Sequence, residues 1–240
     1  AWNLAGLDRT YQVFAMWVLV PAATLAMLVW WLLGSGLAWR WRLVGLALLA
    51  GFVGCLRVDD YAGDMTPLVS FRWQQTREER AGSYFSQVAP APAPVVETVQ
   101  QITVGAGDWP GFRGAARDGI VPGVSLAREW KTRAPREVWK HPVGLGWSSF
   151  AVVDGRVYTQ EQRGDDEVVS CWDLADGTPV WVHADPVRFS EAMGGVGPRA
   201  TPTFARSRIF TLGATGLLNC LDAASGRSLW HVDVLDDTDA

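Results

Sequence analysis

The chain has 240 residues, a formal net charge of −4 and 14 tryptophans. This length suggests one or two domains, and the mild acidity argues against nucleic acid as a partner, because nucleic-acid binding needs a basic surface. The cysteines Cys55, Cys171 and Cys220 are far apart, so their spacing predicts neither a zinc site nor a disulfide framework. The chain begins with Ala1 and stops soon after a strand-like segment, and we expect an N-terminal fragment of a longer protein.

The first region, residues 1–58, is predicted to form a transmembrane α-helical hairpin. No charged residue lies between Thr10 and Trp39, and the run VFAMWVLVPAATLAMLVWWLL is long enough to cross a bilayer. The segment GSG interrupts this run. A second apolar run, Leu43–Leu56, becomes long enough to span only if Leu37–Trp41 is added to it. Tryptophans near the break are typical of an aromatic belt at the membrane interface.

The charges beside the two helices leave the orientation open. Arg40 and Arg42 are expected to reach the interface and mark the hairpin tip as cytoplasmic, but Arg57 and Arg72 favour the opposite orientation. An alternative for the second run is a lipoprotein signal that ends at Cys55.

Residues 59–107 are predicted to be a polar connector. The segment TREERAGSYFSQ predicts a short helix, with Thr76 as its N-cap and Glu79 at the third helical position, the pattern of a capping box. The segment APAPAP, Ala89–Pro94, is typical of a semi-rigid spacer. The connector therefore separates the membrane region from a part that folds by itself.

Residues 108–240 have the composition of an all-β domain that contains an internal repeat. The segments VVSCWDLADGTPVW and LLNCLDAASGRSLW match at one constant offset, and a period of about 50 residues is typical of four-stranded propeller blades. The matched columns are Asp173 with Asp222, Gly177 with Gly226, and Trp181 with Trp230. We expect about two complete blades of a larger ring.

Each repeated residue has a predicted structural role. The aspartate starts a side-chain-to-backbone turn, the glycine supplies a backbone conformation with positive φ, and the tryptophan packs between neighbouring blades while its N–H finds a backbone acceptor. The repeat is therefore interpreted as structure and not as a site.

The repeat resembles that of the pyrroloquinoline-quinone (PQQ)-type β-propellers. The segment DWPGFRGAARDG is similar to the opening motif of bacterial PQQ-like propeller proteins, and EVWKHPVGLGWSS and GPRATPTF are also similar to segments of that family. The hydrophobic N-terminus followed by GDMTPLVSFRW is similar to the membrane-anchored members. The resemblance implies a protein of the inner membrane with its propeller on the periplasmic side. It also implies that Trp139 ends an outer strand that closes the ring.

Candidate ligand-binding residues lie where the innermost strands begin, at the mouth of the channel. Ser148 and Ser149 occupy one such position, Thr201 occupies the matching position in the second blade, and Arg199 precedes it in a glycine-rich loop. Arg199 is suited to pair with a carboxylate, although a structural hydrogen-bond network explains it at least as well.

Two further groups of residues were weighed as sites. Arg113, Arg117 and Asp118 of the opening motif form either a charged cluster or a structural clasp, and the clasp is favoured. The histidines share no column of the repeat and predict no metal site.

The function favoured by the sequence is a ligand- or protein-binding scaffold of the cell envelope. Its partners are then the membrane and an envelope protein or small ligand, with no nucleic acid. The alternative implied by the resemblance is a PQQ- and Ca²⁺-dependent dehydrogenase of alcohols or sugars. Many alcohol-oxidising members carry two adjacent cysteines, a pair that this sequence lacks, and a purely structural adaptor is the third possibility.

Overall fold

The computed structural model describes residues 9–61, 66–88, 101–191 and 194–238. The chain divides into two compact units, residues 1–76 and residues 77–240. They are taken in turn.

The first unit begins with two helices in the region predicted to be membrane-embedded. Helix α1 is Arg9–Leu33 and contains Pro21, and helix α2 is Trp39–Gly54. Among the described residues, one helical stretch is long and apolar enough to cross a membrane, Phe14–Leu33, with a mean hydropathy of 2.0. Helix α2 has 16 residues, fewer than the roughly 20 that a span needs. The first span is thus a candidate, and the membrane hairpin stays a prediction.

The end of α1 is held by Arg42 of the next helix. Its guanidinium donates hydrogen bonds to the carbonyls of Leu32 and Ser35 and, at 3.0 Å, to that of Leu37. The last carbonyls of a helix have no partner within the helix, and a basic side chain satisfies them. Arg42 therefore binds the turn between the helices, a role that the sequence did not predict.

A short β-hairpin follows, inside the stretch predicted to be a polar connector. Strand β1, Leu56–Tyr61, pairs antiparallel with β2, Pro67–Phe71. The hairpin is stabilised by Arg57, which contacts Asp59 at 2.6 Å and donates to the Gln74 carbonyl at 2.9 Å.

The second unit begins with the predicted short helix. Helix α3 is Arg77–Gln87, with Ala81 buried. Its Glu78 forms an ion pair at 2.8 Å with Arg188 of the β-domain. The predicted spacer, 89–94, lies outside the described residues.

Two four-stranded antiparallel sheets form the rest of this unit, as the repeat predicted. In the first sheet, strands β3 to β6 are paired in chain order, and in the second, strands β9 to β12 are paired in the same way. A two-stranded hairpin, β7 with β8, lies between them in sequence. The strands are β3 Ala151–Val153, β4 Arg156–Arg163, β5 Asp166–Asp173, β6 Pro179–Asp185, β7 Ser190–Glu191, β8 Gly195–Val196, β9 Thr203–Ala205, β10 Arg208–Leu212, β11 Leu217–Asp222 and β12 Ser228–Asp233. We call the two large sheets the first and second blades.

The repeated aspartate and glycine make the turn before the last strand of each blade. Asp173 Oδ1 accepts the N–H of Ala175 at 2.8 Å, whereas Asp222 Oδ1 accepts both the N–H and the hydroxyl of Ser225. Gly177 and Gly226 have φ values of 73° and 71°, a conformation that a side chain disfavours. The predicted turn chemistry is confirmed.

Trp181 joins the two blades. It is 2% exposed, and its indole N–H donates to the carbonyl of Ala223 in the second blade at 3.0 Å. A Cβ on Gly226 would overlap the Trp181 ring, so this glycine also provides room for the tryptophan. Around the ring lies the shared core, which includes Tyr158, Phe204, Ile209 and Leu221.

Trp139 makes the same contact one step earlier. Its indole N–H donates to the Leu174 carbonyl at 2.9 Å, and a Cβ on Gly177 would lie 2.7 Å from its ring. The prediction that Trp139 ends an outer strand is not met in the described residues, because residues 134–144 form no strand. Here the side chain, and not a backbone ladder, attaches the segment to the first blade.

We predict that Trp181→Ala lowers the free energy of unfolding by about 3–5 kcal/mol, the usual cost of emptying a buried tryptophan site. Trp230→Ala is the matched control, because Trp230 occupies the same repeat position but is 41% exposed. Urea unfolding followed by circular dichroism measures both. Equal losses in the two variants would contradict the role of Trp181 as the joint between the blades.

Candidate functional site

The predicted residues at the inner strands come together only in part. Strands β3 and β9 begin at Ala151 and Thr203, so Ser149 and Thr201 lie just before them and not within them. The N–H of Ser149 donates to Thr201 Oγ1 at 3.1 Å. These equivalent positions of the repeat thus contact each other directly, a contact that the alignment did not predict, and Thr201 Oγ1 serves as the acceptor.

A buried glutamine completes this contact. The amide of Gln160 donates to the carbonyls of Ala200 at 2.6 Å and Leu212 at 3.1 Å. Ala200 precedes the second blade, and Leu212 is the last residue of its strand β10. Ser148 Oγ donates to the neighbouring Ser149 carbonyl. Sequence reasoning missed Gln160; the available signal was the run of polar residues TQEQR in the second half of β4.

Arg199 is held by its own loop. Its guanidinium donates to the carbonyls of Gly197 and Gly195 at 3.1 and 3.3 Å, lies 3.9 Å from a Glu191 carboxylate oxygen, and lies 5.5 Å from the centre of the Phe189 ring. No contact in the described residues joins it to Ser149 or Thr201. This geometry is that of the structural network that the sequence analysis favoured.

The first blade contains a second polar network that the sequence analysis did not identify. Glu161 is 1% exposed; one of its oxygens accepts from Arg163 and from the Ser170 hydroxyl, and the other accepts the Gly144 N–H. Arg163 lies over the ring of Phe85, 3.4 Å from its centre. A buried carboxylate must be paired and hydrogen-bonded, and here these bonds attach α3 and the segment before β3 to the blade.

Carboxylates also join the two blades near the β10–β11 turn. Glu167 accepts the Ala214 N–H at 3.0 Å, and burial raises the pKa of Glu167 despite that hydrogen bond. Burial also opposes ionisation of Asp185, but hydrogen bonds from His183 and Asn219 outweigh it and lower its pKa; the Asn219 bond is 2.7 Å long. The pKa values of Glu167 and Asp185 are thus shifted in opposite directions.

The cysteines of the repeat are core residues. Cys171 and Cys220 are fully buried, in equivalent strands of different blades. Burial raises the pKa of the Cys171 thiol to about 12 and also raises that of Cys220. Because the thiolate is the reactive form, neither thiol is suited to nucleophilic or redox chemistry.

The donor groups of this segment do not fit the calcium ion of a PQQ site. Calcium takes six to eight oxygen ligands, usually with several carboxylates. Within the described ranges, no group of three or more His, Cys, Asp or Glu side chains is placed to hold a metal ion. No chemical step is therefore derived through PQQ or calcium.

The opening motif runs along the inner strands of both blades. The backbone of Trp109 exchanges two hydrogen bonds of 2.7 Å with Val152 of β3. The Pro110 carbonyl accepts the N–H of Phe204, in β9, at 2.7 Å. Farther upstream, the N–H of Ile102 donates to Ser207 Oγ at 2.8 Å. These bonds give the motif the role of a clasp between the blades.

Within the described residues, the structure records no ion pair among the charged residues of the motif, the alternative to the favoured clasp. Arg113 donates to the backbone carbonyl of Asp118 at 3.2 Å, and the Asp118 carboxylate accepts the N–H of Ile120 at 2.9 Å. Arg113 and Arg117 instead line a cleft of about 490 Å³, with Thr203 and Phe204 opposite them. This cleft is open to solvent and includes Thr203 and Phe204 of β9, the innermost strand of the second blade.

We predict that Glu167→Gln removes a specific pH dependence of stability. The raised pKa means that the folded state holds the proton more tightly than the unfolded state, so this contribution is complete below the ordinary pKa of 4.5 and is lost as the pH rises through the raised value. The decline in free energy of unfolding above pH 4.5 should be shallower in Glu167→Gln, with the exposed Asp166→Asn as control. Parallel profiles in wild type and Glu167→Gln would refute the assignment.

Comparison with known proteins agrees with this architecture. Residues 127–239 match a family model described as outer membrane protein assembly factor BamB. No curated protein sequence matches the chain.

Several solved structures are similar to part of the chain. A quinohemoprotein alcohol dehydrogenase from Comamonas testosteroni is 17% identical over 67% of this chain, with a TM-score of 0.42. The alcohol dehydrogenase ADHIIG from Pseudomonas putida is 22% identical over 38% of this chain, with a TM-score of 0.31, and BamB from Moraxella catarrhalis is 17% identical over 37%, with a TM-score of 0.25.

The chain spans only 22%, 13% and 22% of the lengths of these three proteins. The family match covers both blades and both copies of the Asp–Gly–Trp repeat. Residues 127–239 of this chain therefore belong to the PQQ-like repeat family of β-propeller proteins.

Proposed function

We propose that this protein is a membrane-anchored, exported PQQ-like propeller that acts as a binding or scaffold module of the cell envelope. One observation carries the proposal: buried carboxylates of the blades are used to hold segments of the fold together, while two arginines, Arg113 and Arg117, line an open cleft. Glu161, Glu167 and Asp185 each accept hydrogen bonds from other segments of the fold. The cleft beside Arg113 and Arg117 faces solvent instead.

Buried polar groups that hold the fold together, combined with an exposed charged cleft, are consistent with a binding module. Catalysis needs a general acid, base or nucleophile close to the substrate, whereas the carboxylates of Glu161, Glu167 and Asp185 bond other segments of the fold and the thiols of Cys171 and Cys220 are buried in the blades. The matching family model is described as an outer membrane protein assembly factor, and a role in holding other proteins is consistent with that name. The dehydrogenase alternative has no supporting contact in the described part of this segment.

The anchor is proposed to be the apolar stretch of α1. Phe14–Leu33 provides 20 residues, enough to cross the hydrocarbon core. We place it in the cytoplasmic membrane with the propeller on the outer, periplasmic side. Exposed aromatic and aliphatic side chains along α1, among them Trp17 and Trp30, suit a lipid environment.

Labelling of single cysteines in whole cells tests the location. In a Cys55→Ser background, where the remaining Cys171 and Cys220 are fully buried, Asp165→Cys places a thiol on the exposed β4–β5 turn. The proposal takes α2 as the second pass of the predicted hairpin, so we expect an impermeant maleimide that passes the outer membrane to label Asp165→Cys in intact cells, and to label Gly36→Cys, between the helices, only after the inner membrane is permeabilised. The reverse pattern would overturn the proposed orientation.

Photo-crosslinking tests the binding role. A photoreactive amino acid in place of Ile120, which is 64% exposed and follows the cleft residue Arg117 by three positions, should give a covalent adduct of defined mass with another envelope component in growing cells. The same group at Asp165, on the β4–β5 turn, is the control and should give none. Absence of adducts at both positions would contradict a binding function at this face.

A further inference from the structure

The loop that forms one side of the cleft is held by backbone hydrogen bonds to both blades. Trp109 pairs with Val152 of the first blade and Pro110 with Phe204 of the second. The loop then packs back on itself, because a Cβ on Gly114 would lie only 2.8 Å from the Trp109 ring. The side chains that line the cleft are therefore presented from a loop that both blades hold in place.

Both arginines of the cleft occupy an unfavourable backbone conformation. Arg113 has φ 64° and Arg117 has φ 57°, in the left-handed region that costs a residue with a side chain about 1 kcal/mol or more. Gly114 and Gly119 of the same loop, with φ 78° and 79°, occupy positive φ without this cost. Glycine would adopt the same conformation with less strain, so Arg113 and Arg117 each carry a backbone cost that glycine would avoid.

The positive charge of the cleft is not neutralised within the described part of the chain. The recorded partner of Arg113 is a carbonyl, that of Asp118, and the structure records no carboxylate within ion-pair distance of Arg113 or Arg117. The Asp118 carboxylate is used by the Ile120 N–H. Two guanidinium groups on one cleft form a strong binding site for carboxylates, to which they donate paired, charge-assisted hydrogen bonds.

The edge of the cleft is apolar and open. Phe112 lines it and is 66% exposed, and Ile120, two residues beyond Asp118, is 64% exposed. Large apolar side chains beside a charged pocket favour a ligand that is both acidic and hydrophobic and that extends beyond the cleft. A peptide segment has these properties, whereas a small organic acid would leave Phe112 and Ile120 uncovered.

We propose that this cleft binds an acidic peptide segment of a partner protein, with carboxylate side chains on Arg113 and Arg117 and apolar side chains on Phe112. The inference rests on the proposed binding function and specifies its partner chemistry. Recognition of acidic motifs by arginine clusters is a general mode of peptide binding. The clasp made by Trp109 and Pro110 holds the loop, which lowers the entropy lost on binding.

Fluorescence anisotropy with the full chain in detergent micelles tests the proposal. The probe is a labelled peptide of alternating glutamate and leucine, and the matched control is the same peptide with glutamine for glutamate. We expect saturable binding of the first, loss of about tenfold or more in affinity in Arg113→Gly and in Arg117→Gly, and no change in Arg128→Gln. Each lost charge-assisted contact contributes on this scale.

The glycine variants keep the test independent of folding. Glycine relieves the left-handed strain, so their thermal midpoints should equal or exceed that of the wild type while binding is lost. Unchanged binding in both glycine variants, or equal binding of the glutamine peptide, overturns the proposal. Succinate that competes as strongly as the peptide also overturns it, since the ligand is then a small acid.

The crosslinking experiment separates this inference from the proposed function. If the adduct at position 120 persists in Arg113→Gly and Arg117→Gly, the binding function stands and the acidic-peptide assignment fails. If no adduct forms at position 120 in the wild type, the binding function itself fails.

Discussion

The fold depends on the insertion of Trp181 between two sheets. Its ring lies over Gly226, and its N–H bonds the Ala223 carbonyl at 3.0 Å. A single side chain thus combines the large apolar burial of an indole with satisfaction of a buried carbonyl. The glycine that turns the next blade also makes room for the tryptophan of the previous one. For this reason tryptophan and glycine recur together, and Trp139 repeats the arrangement on Gly177.

Such a joint places the remaining polar groups under a constraint. Once two sheets are pressed together, each polar side chain between or beside them needs a partner. Gln160 bonds two carbonyls that flank the second blade, Glu167 bonds the Ala214 N–H, and Asp185 bonds Asn219. These groups resemble a catalytic set by residue type alone. Their recorded partners lie in other segments of the fold, so these side chains have a structural role.

The opening motif links the scaffold to its proposed role. Its first part forms backbone hydrogen bonds with the innermost strand of each blade, through Trp109 and Pro110. Its second part adopts a costly left-handed backbone at Arg113 and Arg117 and presents them to solvent. A rigid base with a strained, charged loop is a common arrangement for recognition, because strained residues persist where the surrounding structure holds them.

The two blades could be predicted from the sequence, since their signals are local: a turn aspartate, a positive-φ glycine and a tryptophan recur at a constant offset and need no knowledge of distant residues. Helices α1 and α3 could be predicted in the same way, and Ser149 and Thr201 could be identified as equivalent positions of the repeat. The hydrogen bond between these two residues, and the contacts of the other site residues, depend on the folded chain. Whether Arg199 faces a ligand or its own loop, whether Arg113 meets the Asp118 carboxylate or its carbonyl, and whether Glu161 is buried with partners all depend on contacts between segments far apart in the chain. Spacing along the chain carries no information on the direction of these side chains.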